Sequence, residues 1–232
     1  YGPSKTARDL FVMSALESSA GDFLATMFFS KDELDAIVTA NSIIQSEDVT
    51  DPGLINSQPD PVDPGKIEII DISGSTYKGK MMIVHDPSRV VVGISGTYGP
   101  KCQGKEVRDM MTEEHAVAGV NAGGFVDVGG VGTGGQPLGI VIKGGHLKAG
   151  SLEKTYEVIG FDKSNKLVVG NMSASKALEI GIRDAVTFGP ILVVNGKASE
   201  ISGTGGGLNP RTAIGQRKDV QLETVMSNSF GF

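Results

Sequence analysis

Arg211 is the residue whose chemistry is easiest to name from the sequence alone. A guanidinium is a rigid fork of donors that matches a phosphate bidentately and stays charged at any working pH. It stands in Asn209-Pro210-Arg211-Thr212, where a proline closes a loop and a β-branched residue opens a strand. That context hands the arginine to whatever cleft lies at the strand's start. Thr212 adds a hydroxyl to the same spot or simply packs. The fork serves equally well in an ion pair with a carboxylate, so spacing alone leaves both roles open.

The second chemical group is the glycine-rich stretch 119–135, which follows an apolar segment. Gly123 and Gly124 let backbone amides approach an anion or a sugar hydroxyl without Cβ interference. Asn121 carries an acceptor and two donors, suited to sugar hydroxyls or to capping its own loop. Asp127 is the loop's single carboxylate and hence a candidate general base or nucleophile. The competing reading is a plain turn. No Gly-Lys-Ser/Thr follows, so this is not a Walker loop, and a β-like segment rather than a helix comes next, against a dinucleotide fingerprint. Gly139 and Gly189 open and precede further apolar segments, where they let backbone lie close to a pocket floor. His115, after Glu113-Glu114, caps its helix or reaches the pocket as a base or metal ligand. His85 reads as a strand-end residue and His146 as part of a turn. No HExxH, HxxxH or EF-hand spacing is present, so no transition metal is expected. A structural Ca²⁺ on carbonyls and scattered aspartates is compatible with the sequence.

The elements that must position these groups fall into three stretches. Residues 4–41 read as helices: Leu10, Phe11, Met13 and Leu16 recur at helical spacing, and Phe23, Leu24, Met27 and Phe28 form a second apolar stripe. Ser30 and Glu33 form a capping box that starts a helix ending near Asn41. Residues 45–66 hold Pro52, Pro59, Pro61 and Pro64 and read as a connector without regular hydrogen bonding. From residue 67 strands are expected at 66–72, 80–85, 89–94, 116–121, 138–143, 155–161, 166–170, 186–195 and 212–217, with one helix at 105–115. The organisation is an N-terminal helical segment (1–44), a Pro-rich connector (45–66) and a main domain (67–232). The expected class is α+β, a mixed β-sheet domain with flanking helices.

Composition narrows the function. The 27 acidic and 21 basic side chains give a formal charge of −6, the wrong balance for a nucleic-acid backbone binder. Glycine, 33 of 232 residues, is about twice its usual share of ~7 % without a collagen period. Cys102 is the single cysteine and makes neither an intramolecular disulfide nor a CxxC metal site. Nine Phe, four Tyr and no Trp leave few rings for a long polysaccharide groove, which favours a compact pocket.

Three segments in order carry a resemblance. Gly119-Val-Asn121-Ala-Gly123-Gly124-Phe125 runs through the glycine loop to Pro137-Leu-Gly139-Ile-Val-Ile142 and Gly144-Gly145. Phe188-Gly189-Pro190-Ile-Leu-Val-Val-Asn195-Gly196 follows, then Asn209-Pro210-Arg211-Thr212-Ala-Ile-Gly215. This set resembles the phosphodiester glycosidase family, whose lysosomal member removes N-acetylglucosamine from a phosphodiester and whose bacterial members are exopolysaccharide-biosynthesis-type proteins. Tyr1 to Phe11 also resembles the ectodomain start of membrane-anchored Gram-positive members. After Asp219 the pattern departs: a late family segment with an Asn-Leu-Asp-Gly-Gly-Ser-like motif is expected to be missing. Val220 to Ser227 reads like the family's late helix and Asn228 to Phe232 like its last strand.

The resemblance implies a hydrolase that cleaves a sugar-1-phosphodiester in cell-wall or exopolysaccharide material. The protein would sit at the cell surface, anchored by a transmembrane segment outside this sequence. It implies that Arg211 and the Gly123–Gly124 amides hold the phosphate, Asn121 orients the sugar, and Asp127 or the absent aspartate acts at the anomeric carbon. The partner is then a phosphosugar or wall glycan. A non-catalytic module that binds anionic glycan, and a structural ectodomain with purely architectural glycines, stay open.

Overall fold

The computed structural model describes residues 4–18, 21–44, 46–55, 63, 65–218 and 222–228. Ser4 starts α1 (Lys5–Leu16) by accepting from the Ala7 amide at 3.1 Å. After α2 (Asp22–Phe28), Ser30 and Glu33 close the expected capping box at the head of α3 (Lys31–Ala40). Val12, Met13, Ala15, Ala25, Leu34 and Ile37 pack together as the core of this unit. The expected stripe on α2 is not buried: Phe23, Leu24, Met27 and Phe28 are exposed. This seven-residue helix turns only Ala25 inward.

The remaining strands are β1 (Ile43–Ile44), β2 (Ile67–Ser73), β3 (Lys78–Val84), β4 (Val141–Lys143), β5 (His146–Ala149), β6 (Thr155–Asp162), β7 (Leu167–Ser173), β8 (Ile182–Thr187), β9 (Val193–Val194), β10 (Lys197–Ala198), β11 (Glu200–Ile201), β12 (Arg211–Gln216) and β13 (Leu222–Asn228). Two further helices are α4 (Val107–Glu113) and α5 (Ala174–Glu179). The fold is α+β. A five-stranded sheet has the order β5-β4-β8-β6-β7, a four-stranded sheet the order β12-β13-β3-β2, and two small ribbons pair β1 with β11 and β9 with β10. Each described pairing is antiparallel.

Alternation along β6 and β7 gives the five-stranded sheet two buried faces. Val158, Val168 and Met172 pack with Ile140, Ile142, Ile182 and α5 on one side. Ile159, Phe161, Leu167 and Val169 face the other, where they meet Met82, Val84 and Ile214 of the four-stranded sheet. Gly144 and Gly145, at φ 58° and 75°, form the two-residue turn between β4 and β5. Both central residues of such a turn need positive φ, which glycine adopts freely.

The structure departs from the sequence reading in identifiable places. The strand expected at 89–94 does not form: Arg89 closes a short 3-10 turn, and side chains take carbonyls beyond it, Arg183 donating to Val90 O and Lys143 to Val92 O. Residues 116–121 run irregularly against α4, where a Cβ on Gly119 would crowd Met111 and Val107. The strand expected at 186–195 ends with β8 at Thr187 and resumes only at β9, since Pro190 has no amide to donate. Leu222–Asn228 is a strand rather than a helix. It fills the slot between β12 and β3, where both of its edges find partners.

Within the connector, Thr50 is not loose chain. Its amide donates to Val169 O at 2.9 Å, and its hydroxyl bonds the same residue's backbone. Asp51 N donates to the Asn195 side chain, and Lys166 Nζ donates to Pro52 O. The junction after residue 218 and the tail beyond 228 lie outside the described residues. Among the described residues no helix is long and apolar enough to cross a membrane.

Candidate functional site

Two neighbouring cavities lie at the junction of the two sheets, and one of them also reaches the N-terminal helices. The larger, about 1090 Å³, is lined by Asn121, Glu157, Gly189, Arg211 and Thr212, with Glu17 of the N-terminal unit on its wall. The smaller, about 870 Å³, takes in His115, Gly123 and Gly124, and it shares Asn121 and Thr212 with the first. Seven of the nine residues expected at a site therefore line one cavity or the other. Asp127 and Gly139 line neither.

Arg211 opens β12, and its guanidinium is held from two sides. Nη2 donates to Gly206 O at 2.6 Å, and Nη1 lies 3.4 Å from Glu17 Oε2. A Cβ on Gly206 would stand 2.8 Å from Nη2, so the guanidinium tip would have to shift to admit one. Both partners of the ion pair are nearly half exposed, at 44 % and 45 %. The pair is accordingly weak and open to exchange for another anion.

What fixes this wall is a buried polar network behind it. Asp9 accepts from Lys5 and Arg8 at 2.7 and 2.8 Å and from Asn41 Nδ2 at 3.2 Å. Asn41 Oδ1 in turn accepts from the Thr204 amide and hydroxyl, at 2.8 and 3.0 Å. The network ties α1 and α3 to the loop that delivers Arg211. Hydrogen bonds from Lys5 first, then from Arg8, lower the Asp9 pKa from 3.8 to about 2. Ser14 adds a second tie by accepting from Leu208 N at 2.8 Å.

The glycine loop is built differently. Its base is pinned, with Leu138 N donating to Gly124 O and Val126 N to Gln136 O at 2.9 and 2.8 Å. Gly123 bends into it at φ 72°. Asp127 lines neither cavity. Its Oδ1 accepts from the Gly132 amide at 2.6 Å and closes the loop on itself. Val128 and Val131 beside it are 80 % and 82 % exposed. Gly139 is a packing requirement: a Cβ there would overlap Thr187, whose Oγ1 accepts from Ile140 N at 2.8 Å.

His115 sits one residue past the C-cap of α4, with φ 52° and its ring exposed. Neighbouring Glu114 is ion-paired with Lys143. His85, just past β3, is buried and bonds Glu68 Oε1 at 2.6 Å. Lys66, then His85, lowers the Glu68 carboxyl. Among the described residues no group of three or more His, Cys, Asp or Glu is placed to hold a metal ion.

Glu157 is the residue that sequence reasoning missed. It shares the face of β6 that carries Ile159 and Phe161. The Gly189 backbone lies against its carboxylate so closely that any Cβ at 189 would overlap Glu157 Oε2. The signal was available in Thr155-Tyr-Glu157-Val-Ile-Gly-Phe161. A charged side chain falls on the inner face of a strand that has a partner on each edge.

Comparison with known proteins bears on this arrangement. The model of the phosphodiester glycosidase family matches residues 114–229, half of the chain and the part that supplies Glu157, Gly189 and Arg211. Among solved structures, the catalytic domain of zebrafish N-acetylglucosamine-1-phosphodiester alpha-N-acetylglucosaminidase, auto-inhibited by its pro-peptide, matches with a TM-score of 0.51 at 22 % identity. That match covers 74 % of this chain and 64 % of the zebrafish chain, and at this identity it speaks for the fold. No curated protein matched. With half its length matched by the family model, and the fold shared with a catalytic domain of that activity, this chain belongs to the phosphodiester glycosidase family.

Proposed function

We propose that this protein hydrolyses the C1–O bond of a sugar-1-phosphodiester in cell-wall or exopolysaccharide material, at the cell surface. The observation that carries the reading is Arg211 on the wall of the larger cavity, with Asn121, Glu157 and Thr212 around the same space. A sugar joined through phosphate departs as a phosphate, already a good leaving group. The site then needs charge stabilisation at the phosphate more than acid assistance at the leaving oxygen. Arg211 is suited to that task, and its exposed Glu17 partner is easily displaced by a doubly bonded phosphate. Asn121, at the junction of the two cavities, is placed to orient the sugar hydroxyls.

A second reading is a glycan-binding module without turnover. One observation favours it: Asp127 lines neither cavity and is spent on its own loop. A panel of sugar-1-phosphodiesters, followed by mass detection of free sugar and by calorimetric binding, separates the two. Release of free sugar supports the hydrolase. Binding without release across the panel supports the module.

A further inference from the structure

We propose that Glu157 is the catalytic carboxylate of the larger cavity, acting as general base on the water that attacks the anomeric carbon. The inference rests on the hydrolase reading above and adds to it the group that the glycine loop fails to provide. Among the described residues, the carboxylates lining the cavity are Glu17, Asp51 and Glu157. Glu17 is paired with Arg211, and the Asp51 side chain accepts from Gly53 N at 2.8 Å as the cap of a short helical turn. Glu157 differs from both in its mounting. It projects from a strand hydrogen-bonded on both edges, and Phe188 N donates to its own carbonyl at 3.2 Å. The Gly189 backbone takes up the space beside its carboxylate. A base must be held within a fraction of an ångström of its working position, and a central strand does this better than a loop. Asp127, hung on a glycine-rich loop with exposed neighbours, lacks such support.

The step is balanced without any further reagent. Water in the cavity gives a proton to the Glu157 carboxylate as its oxygen bonds to C1. The bond from C1 to the bridging phosphate oxygen breaks, and its electron pair leaves on the phosphate, where the added charge meets Arg211. The products are the free sugar and a phosphate monoester, and Glu157 returns its proton to solvent.

The test compares the full chain with Glu157→Gln and Glu157→Asp on the best sugar-1-phosphodiester of the panel, with thermal melting as the folding control. Glutamine fills the same volume against Gly189 but cannot accept a proton. Loss of about 100-fold or more in kcat, with KM within a few-fold, is expected for Glu157→Gln. The acid limb of the wild-type kcat/KM profile should disappear with it. Glu157→Asp should keep that limb at reduced kcat, which preserves the test if the glutamine variant melts early. A Glu157→Gln protein with wild-type kcat, or with the acid limb intact, overturns the assignment while leaving the hydrolase reading standing. A wild-type protein inert on every diester overturns both.

Discussion

The wall that carries Arg211 and the loop that carries Asp127 both looked like substrate-binding elements, yet the fold treats them in opposite ways. Arg211 and Glu157 leave strands, and small residues are placed where those side chains need room: Gly206 beside the guanidinium and Gly189 beside the carboxylate. In the loop the glycines serve the backbone's own path, and the Asp127 carboxylate accepts an amide from across that path. Glycines mark both regions. What separates them is whether the glycine makes space for another residue's functional group or for a turn.

The sharpest way to break this contrast is to remove one charge from each region. Arg211→Ala should lower kcat/KM on a sugar-1-phosphodiester by about 100- to 1000-fold, the usual cost of losing a donor to developing transition-state charge. Asp127→Ala should cost less than about tenfold, through loosening of the loop. Equal losses in the two variants would erase the distinction.

A second test concerns what holds the Arg211 wall. The Asp9 carboxyl titrates lower in the folded protein, at about 2 against 3.8 for a free side chain. Its contribution to stability is therefore fully present above pH 4 and is lost as the pH falls through about 2. Asp9→Asn should lower the Tm at pH 6, and the gap to wild type should close as the pH approaches 2. A gap that stays constant with pH would show that the ionised carboxylate is not what joins α1 to the loop ahead of Arg211.

The smallest expected effect is at the mouth. Glu17→Gln removes the anion that now competes for the Arg211 fork. Because both groups are well exposed the pair is worth no more than about 1 kcal/mol, so KM for a phosphodiester should fall two- to fivefold at unchanged kcat. A raised KM would mean that Glu17 positions Arg211 rather than competing with its ligand.

How far the sequence could be read follows from the range of the interactions involved. The capping box at Ser30 and the opening of β12 at Arg211 are written within a few residues, and both were legible. So was the α+β class, from periodicity alone. Residues 89–94 looked like a strand because Val90 to Val92 are β-branched. Their carbonyls instead go to Lys143 and Arg183, more than fifty residues away, and nothing local announces that. Glu157 alternates in step with Ile159 and Phe161, but that their face is covered shows only once the two sheets are set face to face. The tie from Asn41 to Thr204 spans the molecule in the same way. It gives the N-terminal helices a structural part in the candidate site that their own sequence does not reveal.

The most direct measurement is hydrolysis of a sugar-1-phosphodiester in ¹⁸O-water, with the label located by mass spectrometry in promptly quenched products of wild type and Arg211→Ala. Attack at the anomeric carbon predicts label in the released sugar, an unlabelled phosphate monoester, and near-complete loss of both products in the variant. Label in the phosphate would mean cleavage at phosphorus. Undiminished release by Arg211→Ala would place the chemistry away from this cavity. Either result would contradict the account.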